Sequence, residues 1–509
     1  MKKKTICIFG TLILAAFVLC GCRKTPEKSS VASKAEGLSE ELTAEPLEPG
    51  ELQEVDLPGH WNVSEKKSND RVTILADLEM GKLETGNLPV VEMKNHSMTQ
   101  KELEKFTAYF ANGEELYVPQ ADTKEVFQNV KDRIDQKEGV YANPVLGSFL
   151  EKKSSLEEAV RLAPEKTGRD ETAEVKFQKK TADAAGEAAN SWAYKLGVEK
   201  EQIPDAEAFF AADVGKGRLS HIEAECYDPK IANRSRFTWI TGTDRYDLEE
   251  IQRYAAMNEF ITDTSGYQEQ FRDLLGQYQD ALEQEIFSAE EGQKQAEQVM
   301  KDLGVPEMEL LSADRTLWFP EEEMPDVRYA EPGDFFWQAK PEEARAAYRY
   351  VFTRAYGGIS AERAGGSAAE EAADSYTSPF PVETVSITVT EEGVKAFSWT
   401  GMCEEEAVIA EHVKLLPFDS IQERLFEQIY YYYLGKGQPE EDKTNFRFQV
   451  TSAKLRYTYV TAFDKPENAW LVPAWNFEVM EGSGLDGDIR DFAGFQVTIN
   501  GMDGGAIAE

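Results

Sequence analysis

Four runs near the C-terminus constrain the fold of this chain more than any other feature. Residues 382–401 read VETVSITVTEEGVKAFSWTG, two stretches of valine, isoleucine and threonine parted by Glu391-Glu392-Gly393. Successive side chains of an extended chain point to opposite faces, so period-two alternation marks strands and the Gly break marks a tight turn. Three further runs follow, FRFQVTSAKLRYTYVTAF (446–463), AWLVPAWNFEVM (469–480) and GFQVTINGMDGGAI (494–507). Lys465-Pro466 and the Gly/Asp-rich stretch 481–491 divide them. Between hairpin and strands lies EHVKLLPFDSIQERLFEQIYYYYL (411–434). There Asp419 or Ser420 can cap a helix whose face is Ile421, Leu425 and Ile429. The order is hairpin, helix, three-stranded antiparallel meander, which is an α+β layout. Pro473 marks an edge or a bulge. Trp470 and Trp475, five apart, face opposite sides of their strand, one in the core and one toward the helix.

Upstream the pattern is mixed. A strand is expected at 71–77, and helices at 98–112 (Leu103, Phe106, Tyr109, Phe110), 123–134 (Val126, Phe127, Val130, Ile134) and 154–163, the last stopped by Pro164. A repeat then emerges. AANSWAYKLGV near 188 aligns with QAEQVMKDLGV near 295, placing Ala189 on Ala296, Trp192 on Val299, Leu196 on Leu303 and Gly197 on Gly304. Positions i, i+3 and i+7 share one helix face, and Gly sits where a helix end wants a left-handed residue. Strands are expected after each copy, at 218–227 with 236–241, and at 308–319.

The N-terminus sets the compartment. Lys2, Lys3 and Lys4 precede fifteen apolar or small residues, TICIFGTLILAAFVL, the layout of a secretory signal. Leu19-Cys20-Gly21-Cys22 resembles the lipobox of bacterial lipoproteins, with Gly21 at the small position before Cys22. That resemblance implies a diacylglycerol on the Cys22 thiol and cleavage before it, hence a protein held to the membrane through lipid on its extracytoplasmic face. Residues 23–56 are rich in Glu, Ser, Pro and Lys, lack aromatics, and are expected to be a disordered tether. The expected organisation is therefore signal 1–21, tether 22–56, a mixed region 57–165, a central region 166–374 with the helix-Leu-Gly-strand repeat, and a C-terminal domain 375–509. The expected class is α+β, with small antiparallel sheets each packed with a helix, in two or three modules.

The net charge is −38, and −41 without the three signal lysines (52 basic, 93 acidic). Such a chain repels nucleic acid and suits cationic partners, although a solvated acidic surface explains it equally simply. Once the signal leaves and Cys22 is acylated, only Cys226 and Cys403 remain, as one disulfide or as two buried thiols.

Leu471-Val472-Pro473-Ala474-Trp475-Asn476-Phe477 and Val497-Thr498-Ile499-Asn500-Gly501-Met502-Asp503-Gly504-Gly505 carry a second resemblance. With the lipobox, they are similar to large Gram-positive lipoproteins of a domain-of-unknown-function family. They also resemble PepSY-type domains and the extracytoplasmic regulators of cell-wall sensor kinases, a helix packed on a small antiparallel sheet. The likeness covers about 130 residues, and Ala474 and Gly501-Met502 depart from its pattern. It implies recognition or regulation of an envelope protein, and brings no catalytic residues.

A direct search for chemistry returns little. The histidines are His60, His96, His221 and His412, none within four residues of another, so no HExxH pair exists. There is no GxSxG elbow, P-loop or GxGxxG, and 93 acids give no informative pair. Asp486 to Asp491 resembles a calcium loop but puts Arg490 at a ligand position. No catalytic residue, metal site or cofactor is therefore assigned. Tyr430, Tyr431, Tyr432 and Tyr433, with Trp475, make the candidate partner-binding face, since four successive tyrosines on a helix cannot all face inward unless a second surface covers them. Packing between domains is the preferred reading of the four tyrosines, and the binding face is the candidate kept beside it. The sequence thus points to a lipid-anchored, non-enzymatic binding or regulatory protein, with a cell-wall or polysaccharide hydrolase and the substrate-binding lipoprotein of a transporter as alternatives.

Overall fold

The computed structural model describes residues 38–67, 71–119, 171–178, 208–216, 220–226, 235–244, 278–320, 341–362, 376–377, 381–435, 444–462, 468–485 and 488–508, with scattered positions at 123–165 and at 276. The signal, Cys22, the first part of the tether and the first copy of the repeat lie outside these residues, as do the helices expected at 123–134 and 154–163 apart from isolated positions. The described chain is mostly β, with several sheets and few helices, and is richer in strand than the α+β expectation.

Two large sheets dominate. The central sheet is antiparallel throughout, in the order Thr243–Asp244, Glu309–Phe319, Arg345–Thr353, Thr384–Thr390, Gly393–Thr400, Arg236–Thr241, Ser220–Cys226, Ala208–Val214, Leu116–Tyr117. The terminal sheet joins the two ends of the described chain. Its order is Tyr376–Thr377, Ala506–Ala508, Asp488–Asn500, Asn468–Leu485, Thr444–Thr461, Val72–Glu79, His60–Lys67. Val90–Asn95 pairs with the first residues of Asn468–Leu485 and carries Cys403–Ala410 on its other side.

Residues 375–509 are therefore not one module. The hairpin at 384–400 is central, whereas Cys403–Ala410, Thr444–Thr461 and Asn468–Leu485 all pair with strands from 60–95. Alternation fixes which face of a strand is buried but not which strand lies beside it, so the hairpin and the meander looked contiguous in sequence.

Among the described residues, three helices longer than ten residues cover these sheets, besides a single turn at Gln279–Glu283. On the central sheet lie α1 (Gln100–Ala111) and α2 (Ala289–Leu303). Phe106 and Phe110 of α1 pack on Phe237, Trp239 and Phe397, with ring centroids 4.6–6.1 Å apart. Ala296, Val299, Met300 and Leu303 form the buried face of α2, the stripe read from the repeat, and Gly304 ends it in the left-handed conformation. On the terminal sheet lies α3 (Phe418–Gly435), whose Ile421, Leu425 and Ile429 are fully buried as expected. It starts one turn after Leu415-Leu416, behind Pro417, earlier than the expected caps, so Asp419 falls in its first turn.

Pro473 sits in mid-sheet, not at an edge. Asn468 to Leu471 pair with Val90–Asn95, and Ala474 onward pairs with Asp488–Asn500. The proline stands where one partner strand gives way to the other, so its missing N–H is needed by neither. Its carbonyl accepts from Gly501 N at 2.9 Å.

Candidate functional site

The expected aromatic face is mostly core. Trp475 is 2% exposed, meeting Phe418 edge-on at 5.2 Å and Phe477 at 6.3 Å. Tyr433 is buried against Phe446 at 5.1 Å. Tyr432 stacks on Phe495 at 4.3 Å and donates its hydroxyl to buried Glu481 at 3.2 Å. Tyr430 is half-buried, with the Lys67 ammonium 5.4 Å from its ring centre. Only Tyr431, 45% exposed, stands in solvent. The five residues therefore do not make a shared binding face. The helix lies on the terminal sheet, and Phe446, Phe448 and Phe495 of its strands take up Tyr432 and Tyr433.

A polar knot lies where the two sheets meet. Glu383, 0% exposed, accepts from Arg354 Nε at 2.6 Å, from Trp399 Nε1 at 2.9 Å and from Cys403 N at 3.2 Å. The Cys403 thiol lies 3.2 Å from both Glu383 Oε2 and the Tyr459 hydroxyl. Arg354 also donates to the Cys403 carbonyl at 3.0 Å. At the rim, Tyr356 donates to Glu405 at 2.6 Å. Burial works against the Arg354 charge, but Glu383 outweighs it and holds the guanidinium above its usual range. Burial, followed by Glu383, pushes the Cys403 thiol well up, and burial with Cys403 does the same to Tyr459. A nucleophilic cysteine needs a thiolate and access. Cys403 has neither, so the knot is a rivet. Cys226 is also a buried free thiol, pushed by burial up to about 11, and the two cysteines stand as separate buried thiols.

A second constellation spans three neighbouring strands of the central sheet. Asp213 Oδ1 lies 3.0 Å from His221 Nδ1, Glu223 lies 3.8 Å from the other ring nitrogen, and Arg236 bridges Glu223 and Glu225. Registers Asp213↔His221 and Glu225↔Arg236 put these groups on the face away from the core. Burial opposes the His221 charge, but Asp213 and Glu223 outweigh it and raise the imidazole to about 9. A general base works best near the operating pH. At neutral pH this ring already holds its proton, so it is a cation in an ion-pair ladder. Among the described residues, no group of three or more His, Cys, Asp or Glu side chains could hold a metal ion.

The third feature is the N-terminal segment. Residues 38–56 fall in the expected disordered tether, but 38–57 form a strap across the terminal sheet. Ala44 N bonds the His412 carbonyl at 3.1 Å, Lys414 N the Leu42 carbonyl at 2.9 Å, Leu47 N the Asn87 side chain at 2.7 Å, and Val55 N the Leu83 carbonyl at 2.9 Å. Gln53–Glu54 pairs with Glu84–Thr85. Leu38, Leu42, Val55 and Leu57 pack on the terminal core. Composition concealed this, because four spaced aliphatics suffice to dock a strap on an existing surface. Under it, His412 is 3% exposed and accepts from Leu88 N at Nδ1, 2.9 Å away.

These features define a mostly β protein of two interleaved sheets, with its polar clusters tied into structure. No protein-family model matches the chain, and no curated protein matches it in sequence. It is similar in structure to an uncharacterized protein from Eubacterium rectale ATCC 33656, at 11% identity over 88% of this chain and 93% of that one, with a TM-score of 0.39. It is also similar to the Bacillus megaterium YpeB C-terminal domain, at 9% identity over 65% of this chain and 96% of that one, with a TM-score of 0.17. At such low scores, neither likeness bears on function.

Proposed function

We propose that this chain is a lipid-anchored extracytoplasmic protein that binds and regulates an envelope partner. The observation carrying the reading is the lipobox-like Leu19-Cys20-Gly21-Cys22 combined with the docked strap. The strap's first described residue, Leu38, follows Cys22 by sixteen positions (38 − 22). At about 3.3 Å per residue, that link spans at most about 50 Å, so the body is held near the bilayer. Lipid with two acyl chains, at about 0.8 kcal/mol per buried CH2, makes such an anchor durable. The networks around Glu383 and His221 further support a rigid binding body, because they lock titratable groups in place. A transporter's binding lobe would be built on parallel sheets. Among the described residues parallel pairing is confined to Phe446–Val450 beside Val72–Ala76, Tyr376-Thr377 beside Ile507-Ala508, and a single bridge from Ala361 to Tyr457, so that alternative is not proposed.

Cells fed an alkyne fatty acid test the anchor. The wild-type chain should take the label and sediment with membranes, and Cys22→Ser should lose both properties. Label retained in Cys22→Ser, or wild-type chain free in the medium, overturns the reading.

A further inference from the structure

We infer that the strap is an acid-released clasp, in which protonation of His412 frees residues 38–57 from the terminal sheet. The geometry around the ring allows only its neutral form. Leu88 N–H donates to Nδ1 at 2.9 Å, so the ring proton resides on Nε2. Nε2 lies 3.2 Å from the Gln53 amide nitrogen, and turning that amide over puts its oxygen in the same place, where it accepts the ring proton. A second proton would have to sit on Nδ1, setting donor against donor in a site that is 3% exposed. Both partners are uncharged. The carboxylates nearest in sequence on the packed elements are Glu45, beside the Ala44 that bonds the His412 carbonyl, Glu51 and Glu54 on the strap, Glu84 beside it, and Glu411 next to the ring, and all five are exposed. Lys82 is held between Glu54 and Glu84, and Lys414 is exposed. Among the described residues no charged partner bonds the His412 ring, and burial drives its pKa below its usual value.

To take the proton, the ring must reach water, and the strap is the lightest element over it. Gln53 covers Nε2, and the strap's aliphatics Leu38, Leu42, Val55 and Leu57 are only half-buried. Segments with few buried contacts open at a fraction of the global unfolding cost. The opposite wall of the site is Leu88, at the head of a strand with fully buried Val90 and Val91, and does not yield. The sign follows from linkage. A histidine kept neutral in the closed state leaves the strap secure above its free value of 6.5. The open-to-closed ratio then rises roughly tenfold per pH unit below that, until the closed state also protonates. Release adds the twenty residues 38–57 to the link, about 65 Å at full extension. That consequence for reach rests on the anchor proposed above, but the release itself does not.

Hydrogen exchange of the full-length chain in detergent, corrected for intrinsic rates, tests the release at pH 7.5 and 5.0. Amides of Ala44, Leu47 and Val55 should lose protection at pH 5.0, while those of Thr444–Thr461 should not. His412→Asn keeps an acceptor for Leu88 and cannot titrate, so its strap should be equally protected at both pH values. As a check needing no variant, the His412 ring resonances should titrate over the same range as the strap amides are lost. Unchanged wild-type protection, an equal loss in His412→Asn, or ring titration separate from strap opening each overturn the inference. Cys22→Ser run in parallel should behave as wild type, so failure of the anchor and failure of the clasp are told apart.

Discussion

Helices α1 and α2 on the central sheet differ from α3 on the terminal sheet in what starts them. Thr99 and Glu102 cap α1 reciprocally, and Ser288 and Glu291 do the same for α2. Each helix ends in a left-handed residue, Asn112 or Gly304. By contrast, α3 begins behind Pro417, which has no side-chain acceptor. Its first amides lean on the Pro417 carbonyl, from Ser420 at 3.0 Å and Ile421 at 3.3 Å. What holds α3 is burial: Phe418, Ile421, Leu425, Phe426, Ile429 and Tyr433 all lie in the terminal core. A polar helix on a surface is fixed by its ends, and an apolar helix in a groove by its flank. The same contrast extends to the sheets. The terminal sheet has strands of up to eighteen residues, drawn from both ends of the described chain, whereas the central sheet is shorter-stranded and carries its ion pairs on its outer face.

The largest expected effect is at the seam that joins the two. Glu383→Gln leaves the Arg354 guanidinium only the longer, half-exposed contact to Glu405 at 3.4 Å in place of its buried partner, and breaking a buried pair costs about 3–5 kcal/mol. Urea unfolding should show that loss, with the Arg354→Met, Glu383→Gln double variant losing less than the two singles summed. A loss under about 1 kcal/mol would mean that the sheets are not riveted there. Next is the burial that holds α3. Ile429→Ala should cost about 2–5 kcal/mol, while the exposed Tyr431→Ala should stay within about 0.5 kcal/mol. Similar costs at both would restore the aromatic binding face. Smaller again are the caps. Ser288→Ala should cost about 1 kcal/mol, visible as a lower urea midpoint, and Pro417→Ala should not destabilise comparably. Equal losses would erase the contrast between helices. The smallest effect is electrostatic. His221 is raised in the folded state, so its contribution is present in full below 6.5 and is lost as pH rises through about 9. Stability followed from pH 6 to 10 should fall more in wild type than in His221→Gln, and matching profiles would remove the ladder from the account.

Much of the local structure was legible in sequence. The strand 236–241, the hairpin 384–400 and the α2 stripe of Ala296, Val299 and Leu303 follow from periodicity, which is a local property. Cys403–Ala410 was not, because CEEEAVIA does not alternate. It is an edge strand, with Glu404, Glu405 and Glu406 facing solvent and two register shifts against Val90–Asn95, features that discourage edge pairing with other chains. Partnership between distant segments was equally hidden. Nothing in the residues near Arg354, Glu383 and Cys403 announces that three separate turns converge. The Asp213–His221–Glu223 ladder had one available signal, charges at alternate positions of adjacent strand runs, but pairing those runs required the register. The aromatic run misled because four tyrosines on a helix look unsatisfiable until strands of the terminal sheet take up Tyr432 and Tyr433.

Photo-crosslinking on intact cells tests the central claim most directly, with a reactive residue placed at Tyr431 and, separately, at Val408, both of which are exposed. The account predicts that one of these positions captures a single membrane-envelope protein in near-stoichiometric amount, dependent on Cys22. Capture of cell-wall glycan alone, with release of cleaved fragments, would contradict it and put a hydrolase in its place.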